Sequence, residues 1–372
     1  MPSGTPQTLR GIWTRPGRGD TPGDAWAVDR EGTLLRFDGT SWLELPHDSA
    51  ESVQITAVSA TPQGEVWAVG SEGTIQHWNG KTLVSEVSGT TKRLLHAFSS
   101  GPSDIWVVGE QATILHGDGR KWTAVAAGLP ATRPPRELIG GGTITPGNDL
   151  QGVWSSAGTT WVVGGPEFPN EGFILRSTGG AFTPVVPAVK GRLLCIWGSS
   201  QRDIWAAGVD GLMMHFDGNA WSNAPRQTTE PLNALWGSGP SDVWAAGNSG
   251  TLLHYDGKSW SAAATRTDGA LYRIFRSGPR ELWATGYGPL RHFDGNTWQS
   301  VNIGSPATLI AGWASDATHV WLVGESGAIM RYKNPPEGGR AHTDPRRRKV
   351  QANQKFSCGS IEIQSPARAS SG

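Results

Sequence analysis

Five histidines recur at one spacing. His77, His116, His215, His254 and His292 each stand two residues before an Asp-Gly or Asn-Gly pair. An imidazole beside a carboxylate is the raw material of general acid–base chemistry or of a metal site. The periodicity argues against both. Arg36, Arg176 and Arg331 fill the same position elsewhere in the chain. Equivalent positions in successive repeats are held apart by the packing between them, so they cannot share one ion. Each imidazole is expected instead to hold a turn, on Asp104 for His116, Asp203 for His215 and Asp242 for His254.

The carboxylates of the Asp-Gly pairs (Asp38, Asp118, Asp217, Asp256, Asp294) mark tight turns between strands. Scattered through the repeats, they do not make the two carboxyls about 5–10 Å apart that glycoside hydrolysis needs. No G-x-S-x-G, P-loop or H-E-x-x-H occurs. Cys195 and Cys358 give neither a disulfide framework nor a metal spacing. No catalytic residue is nominated, and neither a cofactor nor a metal is expected.

What positions these residues is a repeat, seen most cleanly in 232–260, LNALWGSGPSDVWAAGNSGTLLHYDGKSW. Its second Trp returns at Trp26, Trp67, Trp106, Trp161, Trp205, Trp244, Trp283 and Trp321. Each unit reads as four short strands, A to D, punctuated by Gly, Pro, Asp and Ser. A period near ~40 residues with four strands per unit is a β-propeller blade. A lone blade cannot bury its two apolar faces, whereas blades packed in a ring bury both. The fold class is therefore all-β, a single β-propeller of four-stranded blades. Eight blades are preferred, and seven is the alternative if the end repeats merge. The repeated Trp read as packing residues between blades.

Taken in order, 1–8 is an N-terminal segment, 9–334 the propeller and 335–372 a disordered basic tail. The eighth repeat lacks its fourth strand. The N-terminal segment, SIEIQ near Ile361, or a three-stranded last blade could each end the ring. The 32 basic and 32 acidic residues balance, so no nucleic-acid partner is expected except weakly through DPRRRKV in the tail. No apolar run reaches the ~18 residues of a membrane span. The start has no export signal, which implies a cytoplasmic protein as written, or an exported or cell-envelope one if the sequence is a piece of a longer chain. A monomer is expected.

Function on a repeat scaffold should sit where the repeats differ. The A–B and C–D turns are nearly invariant, whereas the B–C turns and D–A connections on the opposite face vary. Two departures coincide on adjacent blades there: the connection 123–149 and the turn 164–172. They nominate Arg133, Arg136, Glu137, Glu167, Asn170 and Glu171 as ligand-binding residues. The same face adds Arg192, Asp210, Arg226 and Tyr287. A polar, mixed-charge rim suits a glycan or a protein partner.

The units WGSGPSDVWAAGNSGTLLHYDGKSW and IWGSSQRDIWAAGVDGLMMHFDGNAW resemble the Trp-rich propeller repeats of bacterial exported proteins. They are loosely similar to sialidase-type Asp-box (BNR) repeats, with Asp-Gly-x-x-Trp one residue shorter than the Asp-box. The resemblance spans 9–334 and implies the propeller fold. Sialidases also use an Arg triad and a Tyr–Glu pair. Here only Tyr272 and Tyr287 stand outside the repeated aromatic slot, and no triad is assigned. The expected function is a non-catalytic binding scaffold for a glycan or protein. A glycan-active hydrolase or lyase is the alternative from another class, marked by an acidic pair and an Arg cluster at the channel mouth. A structural module of a larger envelope protein is the third.

Overall fold

The computed structural model describes residues 3–14, 25–45, 53–61, 65–79, 81–129, 136–137, 143–144, 147–166, 170–265, 267–278, 280–303, 307–316, 319–332 and 361–364. It is a β-propeller. Its eight blades are Leu9–Glu44, Ile55–Glu86, Leu94–Ala124, Leu150–Lys190, Leu193–Asn223, Leu232–Ala262, Leu271–Val301, and Leu309–Tyr332 with Ile361–Gln364. Among the described residues, no helix is long and apolar enough to cross a membrane.

Blade 6 shows why the repeat folds as it does. Strand A is Leu232–Gly239, B Asp242–Gly247, C Leu252–Tyr255 and D Trp260–Ala262, an antiparallel meander. The register sets Trp236 opposite Trp244, Trp244 opposite His254, and His254 opposite Ser261. Strand B is apolar along Val243–Gly247 because both its faces are covered, and all five residues are buried. The A strands touch one another in sequence from blade 1 to blade 8, and blade 8 touches blade 1, so they form a closed inner ring.

The seams between blades are aromatic. Each strand-B Trp is 6% exposed or less. Four of them meet the strand-D aromatic of the next blade edge-on: Trp106 with Phe182, Trp161 with Trp221, Trp205 with Trp260, and Trp244 with Trp298, at 5.0–5.6 Å. Trp321 of blade 8 meets Trp42 of blade 1 the same way at 5.4 Å. Leu9, Ile12 and Phe37 join Trp321, Val323 and Ile329 in one cluster across that seam.

Of the three endings left open by the sequence, the fourth strand of blade 8 comes from Ile361–Gln364, paired antiparallel with Ile329–Tyr332. The propeller therefore draws on residues beyond 334. The rest of the tail, DPRRRKV included, lies outside the described residues. Residues 3–8 take the place of a D–A connection above the B–C turn of blade 8. The Ser3 hydroxyl donates to the Thr5 carbonyl, as Ser88 does to Thr90. Gln7 O accepts from Gly327 N.

The B–C turns also have a fixed geometry under their variable sequence. Gly211 and Gly250 have φ of +64°, and a Cβ on either would land on the carbonyl of Thr228 or Thr267. Only glycine fits where the next D–A connection crosses so closely.

Trp244→Ala is expected to destabilise the fold by about 3–5 kcal/mol. Chemical denaturation measures this, and a loss under about 1 kcal/mol would contradict a seam role.

Candidate binding site

Three of the five repeated histidines hold turns. His116, His215 and His254 place Nε2 at 3.1, 2.6 and 2.9 Å from Oδ1 of Asp104, Asp203 and Asp242, so the ring N–H donates to the carboxylate. Ser100, Ser199 and Ser238 donate to the other oxygen of those carboxylates. Trp106 and Trp244 add an indole N–H to the His-bound oxygen. All five histidines lie stacked on the strand-B Trp of their own blade at 4.1–4.3 Å. The His116 hydrogen bond holds the Asp104 carboxyl below the usual range. At Asp203 and Asp242 burial pushes upward, but the His and Ser donors outweigh it. Each Asp-Gly carboxylate accepts two backbone N–H groups of its turn, as Asp256 does from Lys258 and Ser259. In blades 3, 5 and 6 the imidazole and its carboxylate are thus taken up by structure.

Of the ten residues nominated from the sequence, the structure describes eight. Arg133 and Glu167 lie outside the described residues. Arg136 and Glu137 form one strand of a small hairpin with Thr143–Ile144. Asn170, Arg192 and Asp210 do meet, at the seam of blades 4 and 5. Asn170 Oδ1 accepts from Arg192 N at 2.8 Å, and its Nδ2 donates to Asp210 at 3.2 Å. Asp210 is the apex of its B–C turn, at φ +55°. Glu171 belongs to a strand and pairs in register with Lys190. Arg226 is exposed on the connection between blades 5 and 6. Tyr287 is 50% exposed on blade 7 and meets Tyr272 edge-on at 5.5 Å. The two departures in the repeat do touch: Asp149 O, ending the 123–149 segment, accepts from Gly165 N of the blade 4 turn. Residues 123–124 of that segment are the end of strand D in blade 3.

A different set of residues converges on the inner ring. A cavity of about 440 Å³ lies between the A strands of blades 1, 2, 6, 7 and 8. Its polar side chains are Arg10, Arg273 and Arg276, and its aromatics are Trp236, Phe275 and Trp313. Trp313 is 40% exposed, so this repeated Trp does more than fill a seam. Tyr272 stands on the same strand as Arg273. Burial, with Tyr287 beside it, pushes the Tyr272 phenol up, while Arg10 from two blades away pulls it down. Arg273 likewise acts across the ring on Cys195 of blade 5 and His96 of blade 3. Burial lowers the Arg273 guanidinium. Burial lifts the Cys195 thiol to about 12. Burial and then Arg273 push His96 down to about 4. At neutral pH the wall is therefore cationic. Among the described residues lining this cavity there is no carboxylate, and among all the described residues no three His, Cys, Asp or Glu gather as metal ligands would.

The lumen arginines are absent from the sequence candidates because those come from the variable turns and connections, not from the strands. The signal lay in the second and third positions of strand A, which carry Thr56, Ala57, Asn233 and Ala311 in other blades but Arg10, Tyr272 and Arg273 here.

No protein-family description matches the chain, and no curated protein is similar to it. Solved structures similar to it are β-propellers of low identity, which establishes the fold. YCF48 bound to D1 peptide is 16% identical with a TM-score of 0.58, over 90% of this chain and 94% of that one. The computationally designed Ika8 protein is 14% identical, TM-score 0.68, over 89% and 98%. Sqt1 from Chaetomium thermophilum is 12% identical, TM-score 0.62, over 90% and 98%.

The imidazole of His96 should titrate in NMR with a midpoint near 4. Its folded value is below the unfolded one of about 6.5, so its share of stability is present above that pH and is lost as pH falls toward 4. Arg273→Met should raise the midpoint. A midpoint near 6.5 in the parent protein would contradict an enclosed, cationic channel.

Proposed function

We propose that this propeller is a non-catalytic scaffold that binds a polypeptide partner at the mouth and wall of its central channel. The observation that carries this reading is the channel lining, in which Trp313 and Trp236 stand among apolar side chains and arginines. Exposed aromatics beside Arg are the usual anchors of protein recognition. On this reading Tyr287, with the rim of B–C turns around Asn170 and Asp210, extends the contact beyond the mouth.

A glycan is the weaker ligand. Its hydroxyls call for amide, hydroxyl and carboxylate partners, and the described residues of the cavity wall include no Asn, Gln, Asp, Glu, Ser or Thr. Glycan-active chemistry would need an acidic pair beside the arginines. Tyr272, Tyr287 and Arg10 converge, but the described cavity wall supplies no such pair. Among the similar structures, YCF48 was solved with a peptide bound, which supports a peptide ligand on this architecture.

Peptide and glycan arrays run side by side test the reading. Peptides should be bound, and Trp313→Ala with Tyr287→Ala should weaken binding at least ~10-fold with an unchanged thermal melt, because both side chains are exposed. Replacing residues 130–146 by a Gly-Ser linker should leave channel binding in place. Glycan binding without peptide binding would overturn the proposal.

A further inference from the structure

The channel holds more positive charge than the protein neutralises. Arg273 Nη1 donates to the Tyr272 carbonyl at 3.1 Å. Its remaining guanidinium N–H groups have no acceptor among the described residues. Arg10 has no hydrogen-bond or ion-pair partner among them either. Arg276 is different, since its Nε is committed to the Gly278 carbonyl. The two titratable groups facing Arg273 supply no counter-charge: Cys195 stays a thiol and His96 stays neutral. Arg10 and Arg273 are exposed to the channel, and a free-standing guanidinium presents the fork geometry that fits a carboxylate.

Resting on the reading of the protein as a polypeptide-binding scaffold, we infer that Arg273 and Arg10 anchor the partner through the carboxylate of an Asp or Glu side chain that carries apolar neighbours. The juxtaposition that supports this is one cavity of about 440 Å³ in which these two arginines share a wall with Trp236, Trp313, Phe275 and Ile12. The guanidinium groups take the acid, and the aromatic and aliphatic side chains take what flanks it. An acidic polysaccharide would present the same carboxylate, but its hydroxyls would face an apolar wall.

The test is fluorescence polarisation with a labelled octapeptide of alternating Glu and Leu and its counterpart with Gln for Glu. Trigalacturonate serves as the competing acidic glycan. The Glu peptide should bind at least ~10-fold more tightly than the Gln peptide, consistent with a charge-assisted pair. Arg10→Gln with Arg273→Gln should abolish that preference. Arg273→Lys, which keeps the charge but loses the fork, should retain part of it. Arg273→Met should melt close to the parent temperature, since Arg273 is exposed to the channel and its one side-chain hydrogen bond is to the neighbouring Tyr272 carbonyl, so that lost binding is separable from lost folding. Equal binding of both peptides would overturn the carboxylate anchor while leaving the scaffold reading intact. Binding of neither peptide at millimolar concentration would overturn the anchor, and the arrays would still judge the scaffold. Tighter binding of trigalacturonate through the same arginines would overturn the polypeptide as occupant.

Discussion

The fold depends on the clasp around each strand-B Trp. In seven of the eight blades one face of the indole is covered by the His or Arg of its own blade. Its edge and other face meet aromatics from strands C and D of the next blade. Trp205 is the fullest case, with His215 stacked at 4.1 Å, Tyr255 at 4.9 Å and Trp260 edge-on at 5.0 Å. The ring quadrupole favours such edge-on and offset contacts over face-to-face stacking of like rings. Where Arg replaces His, its guanidinium covers the indole instead, as Arg176 does for Trp161 at 5.2 Å and Arg331 for Trp321 at 5.5 Å. A wedge-shaped seam needs a large residue at a fixed radius, and this requirement explains why the Trp never changes.

The clasp also explains why so many reactive residue types carry no chemistry. The imidazole that covers the indole must be held flat, and the Asp of the A–B turn holds it. That Asp in turn needs its Ser and Trp donors. Blades 3, 5 and 6 thus spend their His, Asp and Ser on one structural cluster. Part of the innermost strand escapes this demand, where its side chains line the channel rather than a seam. Function can be added there without weakening the ring, and Arg10, Tyr272 and Arg273 break the repeat at that strand.

Much of this was legible in the sequence. The Trp spacing specified the blades, and the twelve-residue separation of Asp104 and His116 specified their pairing. Blade 2 shows the limit of that rule. It has no Asp at the corresponding place, and His77 turns to Glu86 on strand D at 2.8 Å instead, a partner that only the strand register reveals. The candidates on the B–C face were chosen for variability. Yet Asp210 serves a left-handed turn apex and Asn170 a seam contact, because variable turns still have to satisfy the backbone that crosses them. Ring closure was legible only as a choice among three endings. Ile361–Gln364 is an unremarkable alternating run until its partner strand lacks an edge. The channel residues were missed because a side chain's direction, inward or into the seam, depends on the bulge after the first residue of strand A.

The most direct measurement is a double-mutant cycle at the closing seam, combining Trp321→Ala and Trp42→Ala, with Trp205→Ala and Trp260→Ala as the internal reference. The two closing rings are far apart in the chain and 5.4 Å apart in space. A coupling of about 0.5–1.5 kcal/mol at both seams is the expected result. Coupling at the internal seam with none at the closing seam would contradict a ring clasped shut by the same interaction throughout.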